Sequence, residues 1–105
     1  MVYIIVPTSP PTVISYYAVD SSSLYLSWSA PPVDQQNGII RYYNITLVEL
    51  ETGSIFSYTA TNTANLTITL LHPNYQYQFE ISAVTIATGP SSMPVTLQMP
   101  EDGKD

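Results

Sequence analysis

From Tyr75 to Ala83 the chain alternates with a period of two. Tyr75, Tyr77, Phe79, Ile81 and Ala83 share one parity, and Gln76, Gln78, Glu80 and Ser82 share the other. A helix would scatter these apolar side chains around its circumference. A strand sends successive side chains to opposite faces, so this segment reads as a strand with one face in a core and one in water. Leu24, Leu26 and Trp28 alternate with Tyr25 and Ser27 in the same way, which places Trp28 near the centre of the core. Val95, Leu97 and Met99 repeat the pattern near the end of the chain.

The intervening sequence divides into similar short runs. Residues 13–19 form a first strand, closed by the turn Ser21-Ser22-Ser23. Ala30 to Gly38 carries two prolines and Asn37-Gly38, which read as a loop that reverses direction near its end. The longest strand is expected from Ile39 to Leu50, with Tyr43, Ile45 and Leu47 inward and Arg41, Asn44 and Thr46 outward. Glu51-Thr52-Gly53 is a hairpin turn, followed by a strand from Ile55 to Ala60 and a turn from Asn62 to Asn65. Leu66, Ile68 and Leu70 mark the inward face of the next strand, and Ala87 to Pro94 reads as a loop. Seven short strands without helical periodicity between them point to an all-β, immunoglobulin-like two-sheet sandwich, with a small barrel as the structural competitor.

Nothing covalent is available to hold such a fold together. The 105 residues contain no cysteine, so stability rests on a buried apolar core, for which one domain of this length suffices. The net charge of -6 arises from eight acidic and two basic side chains, Arg41 and Lys104. A surface that binds phosphates needs clustered cations, so neither nucleic acid nor an anionic membrane is an expected partner. The apolar run Val2 to Val6 is too short to cross a bilayer. It reads as the last strand of a preceding domain, an extension pairing on the sandwich edge, or sequence without fixed structure.

Several ordered features resemble the fibronectin type III family. They begin with Pro11 before the first strand, Trp28 on the second, Pro31-Pro32 and Asn37-Gly38 in the following loop, and Ile40, Tyr43 and Ile45 around the third strand. Leu71-His72-Pro73 leads to Tyr77, then come Phe79, Ile81 and Ala83, and Gly89-Pro90-Ser91-Ser92 precedes the last strand. The resemblance covers residues 10 to 99 and implies a seven-stranded fibronectin type III sandwich. Tyr77 matches the family's tyrosine corner, whose hydroxyl bonds backbone a few residues upstream. Tyr75 departs from the Thr or Ser common in members, and Ala87 stands where many have glycine. In texture the chain is similar to ectodomain repeats of receptor-type tyrosine phosphatases and neural adhesion receptors, in which any phosphatase chemistry belongs to another domain. The expected organisation is residues 1–9 as linker or edge extension, 10–99 as the domain and 100–105 as linker. The expected core is Trp28, Tyr43, Ile45, Leu71, Tyr77, Phe79 and Ile81.

Catalytic chemistry is hard to assemble from these residues. A hydrolytic nucleophile needs an adjacent base, and the chain offers no Cys, one His and no G-x-S-x-G. His72 reads as an exposed turn residue without an evident partner. Asp20, Asp34, Glu49, Glu51 and Glu80 read as scattered over loops and outward strand positions. Glu49 and Glu51 share parity and could sit side by side, but nothing supplies the remaining oxygen ligands of a calcium site. No enzyme, cofactor or metal role is expected.

Binding is the open question. The segment from Thr85 to Ser91 lacks Arg-Gly-Asp, and its small residues Thr88, Gly89 and Pro90 could form adaptable contacts or merely connect strands. Tyr25, together with Tyr17 or Tyr42, is expected at the surface, where tyrosine either recognises a partner or stabilises the sheet through cross-strand pairs. Asn44-Ile45-Thr46 and Asn65-Leu66-Thr67 are N-glycosylation sequons that fit an extracellular setting. The function expected is that of a non-catalytic spacer and protein-interaction module of a cell-surface or secreted protein. Its partners would be neighbouring domains and a possible protein ligand, and the isolated domain would be a monomer. The alternatives are a dedicated ligand-binding or homophilic adhesion domain, and a linker module of a secreted carbohydrate-active enzyme.

Overall fold

The strand-forming runs pair as two antiparallel sheets in the computed structural model of the protein, which describes residues 6–102. One sheet has the order β1 (Thr12–Asp20), β2 (Ser23–Ser29) and β5 (Asn65–Ile68). The other runs β4 (Ser54–Ala60), β3 (Tyr42–Glu49), β6 (Gln76–Val84) and then β7 (Thr88–Ser91), with β8 (Val95–Gln98) also pairing β6. Because β3 occupies one edge of β6, β7 and β8 share the other: β8 is the expected last strand, and β7 is an additional one.

Parity dictates the core. Leu24, Leu26 and Trp28 of β2 face Tyr43, Ile45 and Leu47 of β3 and Tyr77, Phe79, Ile81 and Ala83 of β6, and all are buried. Trp28 meets Tyr43 edge-on at 5.3 Å between ring centroids, an arrangement that aromatic quadrupoles favour. Leu71 and Met99 close the end near the turn that precedes β6. Each fully buried large side chain contributes about 1.5–3 kcal/mol relative to exposure, so the fold stands without cross-links.

The structure corrects several details. The loop expected from Ala30 to Gly38 contains one helical turn, α1 (Val33–Gln36), ended by Asn37 at φ 57°. The third strand begins at Tyr42, not Ile39, and Ile39 is 86% exposed. β5 stops at Ile68 because the chain turns at Leu70, which adopts φ 65° and is 92% exposed instead of facing inward. Tyr75 lies before β6 and is half-buried, its ring 4.8 Å from that of His72. Ser82 and Val84 carry outward parity yet are buried. The segment expected as an open loop from Ala87 supplies β7, which pairs beside both of them.

The N-terminal prolines are also not free. Pro7 is fully buried, Thr8 N–H donates to Gln35 O at 2.9 Å, and Asn37 Nδ2 donates to Val6 O at 3.0 Å. Gly89 permits this docking, since a Cβ there would stand 2.8 Å from Pro7 Cβ. The segment from Val2 to Ile5 and Lys104 lie outside the described residues.

Candidate interaction surfaces

The side chains with the densest polar contacts meet at the turn between β5 and β6. Tyr77 Oη accepts the His72 backbone N–H at 2.8 Å and donates to Glu49 Oε2 at 2.8 Å. Thr52 Oγ1 donates to Glu49 Oε1 at 2.7 Å. Glu49 is therefore buried and inward, which corrects its reading as an outward acid. Tyr43, Ile45 and Leu47 have the same parity, so the signal lay in the alternation itself. Glu51 does not join it. Its carboxylate accepts the Gln76 N–H at 3.0 Å, tying the β3–β4 turn to the start of β6.

The electrostatics follow from these bonds. The Thr52 hydroxyl, and then that of Tyr77, hold the Glu49 carboxyl below its ordinary 4.5 despite burial. Burial, opposed by the His72 N–H and reinforced by Glu49, pushes the Tyr77 hydroxyl up to about 12. His72 Nε2 lies 4.0 Å from Glu49 Oε2, so this exposed histidine does have a partner. A protonated imidazole there would supply a countercharge.

Beside this network the two sheets part. A cleft of about 440 Å³ opens between the edges of β4 and β5, walled by Phe56, Tyr58, Thr67 and Ile68, with Glu49 and Tyr77 lining it and Leu70 and His72 at the rim. The outer faces are flatter. Tyr25 and Tyr42 point outward but are half-buried, whereas Tyr17 is exposed. Tyr25 is partly covered because the Tyr17 ring packs on it at 5.1 Å, a cross-strand pair in register between β1 and β2. Asn44 sits mid-sheet between Thr59 and Ser82, half-buried, while Asn65 is exposed at the start of β5.

Thr88, Gly89 and Pro90 belong to β7 rather than to a free loop, and Gly89 is partly covered by Pro7. Ser92 follows them, named in the sequence only as the end of the Gly89-Pro90-Ser91-Ser92 turn. Its Oγ accepts the Ile81 N–H at 2.9 Å, and its own N–H donates to Ile81 O at 2.8 Å, bridging the break between β7 and β8. Among the described residues no group of three or more His, Asp or Glu could hold a metal ion, and no helix is long and apolar enough to cross a membrane.

The profile of the fibronectin type III domain matches residues 9–98. The chain belongs to the fibronectin type III family. It is 36% identical over 101 residues to the netrin receptor DCC of Mus musculus, covering 95% of this chain and 7% of that protein. It is 33% identical over 101 residues to the tyrosine-protein phosphatase Lar of Drosophila melanogaster, covering 92% of this chain and 5% of that protein. The solved FN5 domain of Drosophila Lar superposes with a TM-score of 0.74 at 27% identity, over 90% of this chain and 98% of that one. The FN1–FN3 structure of chicken CNTN1 gives a TM-score of 0.79 at 22% identity, over 90% of this chain and 32% of that one, a likeness of fold alone. The chain is thus a non-catalytic fibronectin type III module that resembles single repeats of adhesion-receptor and receptor-phosphatase ectodomains, and it spans 5–7% of the length of these curated relatives.

Proposed function

We propose that this fibronectin type III module spaces its neighbours in the extracellular part of a larger cell-surface protein. The observation that carries the reading is where the chain arrives and leaves. Val6, Pro7 and Thr8 are held against Gln35, Asn37 and Gly89 at one pole. At the other pole Met99 N–H donates to Tyr75 O, Asn74 N–H to Pro100 O, and Ser21 Oγ to Asp102 Oδ1. The seven residues of β2 run from one pole to the other, which separates them by about 23 Å. Both ends are fastened to the sandwich by hydrogen bonds, so a neighbour at either end inherits a defined direction.

Two further features support an extracellular setting: the exposed sequon at Asn65 and the likeness to repeats of receptor-type proteins. The test is replacement within the parent chain on the cell surface. Exchanging this module for another fibronectin type III repeat of equal length preserves the function of a spacer, while deleting it does not. A replacement as damaging as the deletion would show that the module's own surface is what matters.

A further inference from the structure

The cleft between β4 and β5 is lined by an ionised carboxylate with unused lone pairs. Glu49 is 6% exposed and ionised, yet the chain provides it with no permanent countercharge. Among the described residues Arg41 is the only Lys or Arg, and it lies beside Val84 at the opposite end of β3. Thr52 and Tyr77 occupy one lone pair on each carboxylate oxygen, and each oxygen can accept again. Those two donors make the charge tolerable, and His72 Nε2, 4.0 Å from Oε2, is a countercharge only when protonated, so the remaining lone pairs suit a cation brought from outside.

The walls say which cation. Phe56 and Tyr58 share inward parity on β4, opposite Leu47 and Ile45, and both line the cleft. Leu70 would cover this opening if β5 continued its alternation. Its positive φ swings it outward instead, a conformation that costs an L-residue with a branched side chain free energy and that no contact of its 92% exposed side chain repays. We propose that the cleft receives an arginine side chain from a basic segment of a partner protein. The guanidinium would meet Glu49 with two N–H groups while its plane lies against Phe56 or Tyr58. A planar, bidentate cation suits this combination better than an ammonium. The role goes beyond spacing, which needs only the two poles, so its failure leaves the spacing proposal standing.

The test is an NMR titration of the 15N-labelled domain with the blocked tripeptide Gly-Arg-Gly, beside Gly-citrulline-Gly as a neutral isostere. The arginine peptide is expected to give saturable shifts at Glu49, Phe56, Tyr58 and Leu70 to His72, with a dissociation constant on the order of 1 mM. The citrulline peptide is expected to give none. Glu49→Gln should abolish the shifts; should that variant not fold, Phe56→Ala, on an exposed edge, should weaken binding roughly threefold. Absence of saturable shifts overturns the proposal. So do equal shifts with citrulline, or shifts spread evenly over Asp20, Asp34 and Glu80.

Discussion

Tyr77 holds Glu49 and the backbone of His72 with a single hydroxyl, accepting one proton and donating another at 2.8 Å each. Removing that oxygen leaves a partly buried N–H without its acceptor and deprives a buried carboxylate of one of its two donors. Tyr77→Phe is expected to lower stability by about 1–3 kcal/mol, read from the midpoint of urea unfolding at constant slope. An unchanged midpoint would mean that water replaces the hydroxyl without cost.

The same pair sets the pH dependence at both ends. Glu49 has its folded pKa depressed, so its contribution is complete above the unfolded value of 4.5 and is lost as pH falls through the folded one. Glu49→Gln should therefore flatten the acid limb of a stability–pH curve. Tyr77 has its folded pKa raised to about 12 from 10.0, so its contribution is complete below pH 10.0 and is lost as pH rises toward about 12. Tyr43 and Tyr58 are raised by burial with the same sign, so Tyr77→Phe should reduce the alkaline limb without removing it.

Leu70 is a leucine where the backbone favours glycine or asparagine. Its side chain buries nothing, so Leu70→Asn relieves the left-handed strain without opening a cavity. The expected gain is about 0.5–1 kcal/mol in the same unfolding experiment. A loss would show that Leu70 makes a contact in solution that it does not make here.

Gly89 is needed for its lack of a side chain rather than for its dihedral angles. A methyl group at this position would stand 2.8 Å from Pro7 Cβ. Gly89→Ala should displace Val6 to Thr8, expose the chain before Thr12 to limited proteolysis, and cost about 1–3 kcal/mol. Unaltered protease resistance would mean that β7 shifts instead.

Of the two sequons, Asn65 offers the freer asparagine. It is exposed at the start of an edge strand, whereas Asn44 is half-buried between Thr59 and Ser82. Intact-mass and glycopeptide analysis of the domain secreted from animal cells should find a glycan on Asn65 in preference to Asn44. Two bare asparagines would remove one support for an extracellular setting.

The sandwich was legible because its core strands obey strict alternation. The parity that runs through Leu24, Leu26 and Trp28, and through Tyr77, Phe79 and Ile81, is a property of strands whatever lies around them. Leu70 escaped that logic because hydrophobicity cannot reveal a positive φ, which here ends the strand two residues early. The burial of Ser82 and Val84 was hidden for another reason. Both lie at the irregular pairing of β6 with β7, whose Thr-Gly-Pro-Ser sequence has the composition of a loop and gives no strand signal. Glu49 had the right parity to be read as inward, and its charge argued otherwise. Only the positions of Thr52 and Tyr77, 28 residues apart from Glu49 in the latter case, make the buried carboxylate tolerable.

Spacing by a module fastened at both poles is tested most directly by small-angle X-ray scattering of this module with its natural neighbours on either side. The expected result is an extended particle whose maximum dimension grows by the pole-to-pole length of the sandwich when the module is present. A particle that stays compact, with its neighbours folded back along the sheets, would contradict the spacing role.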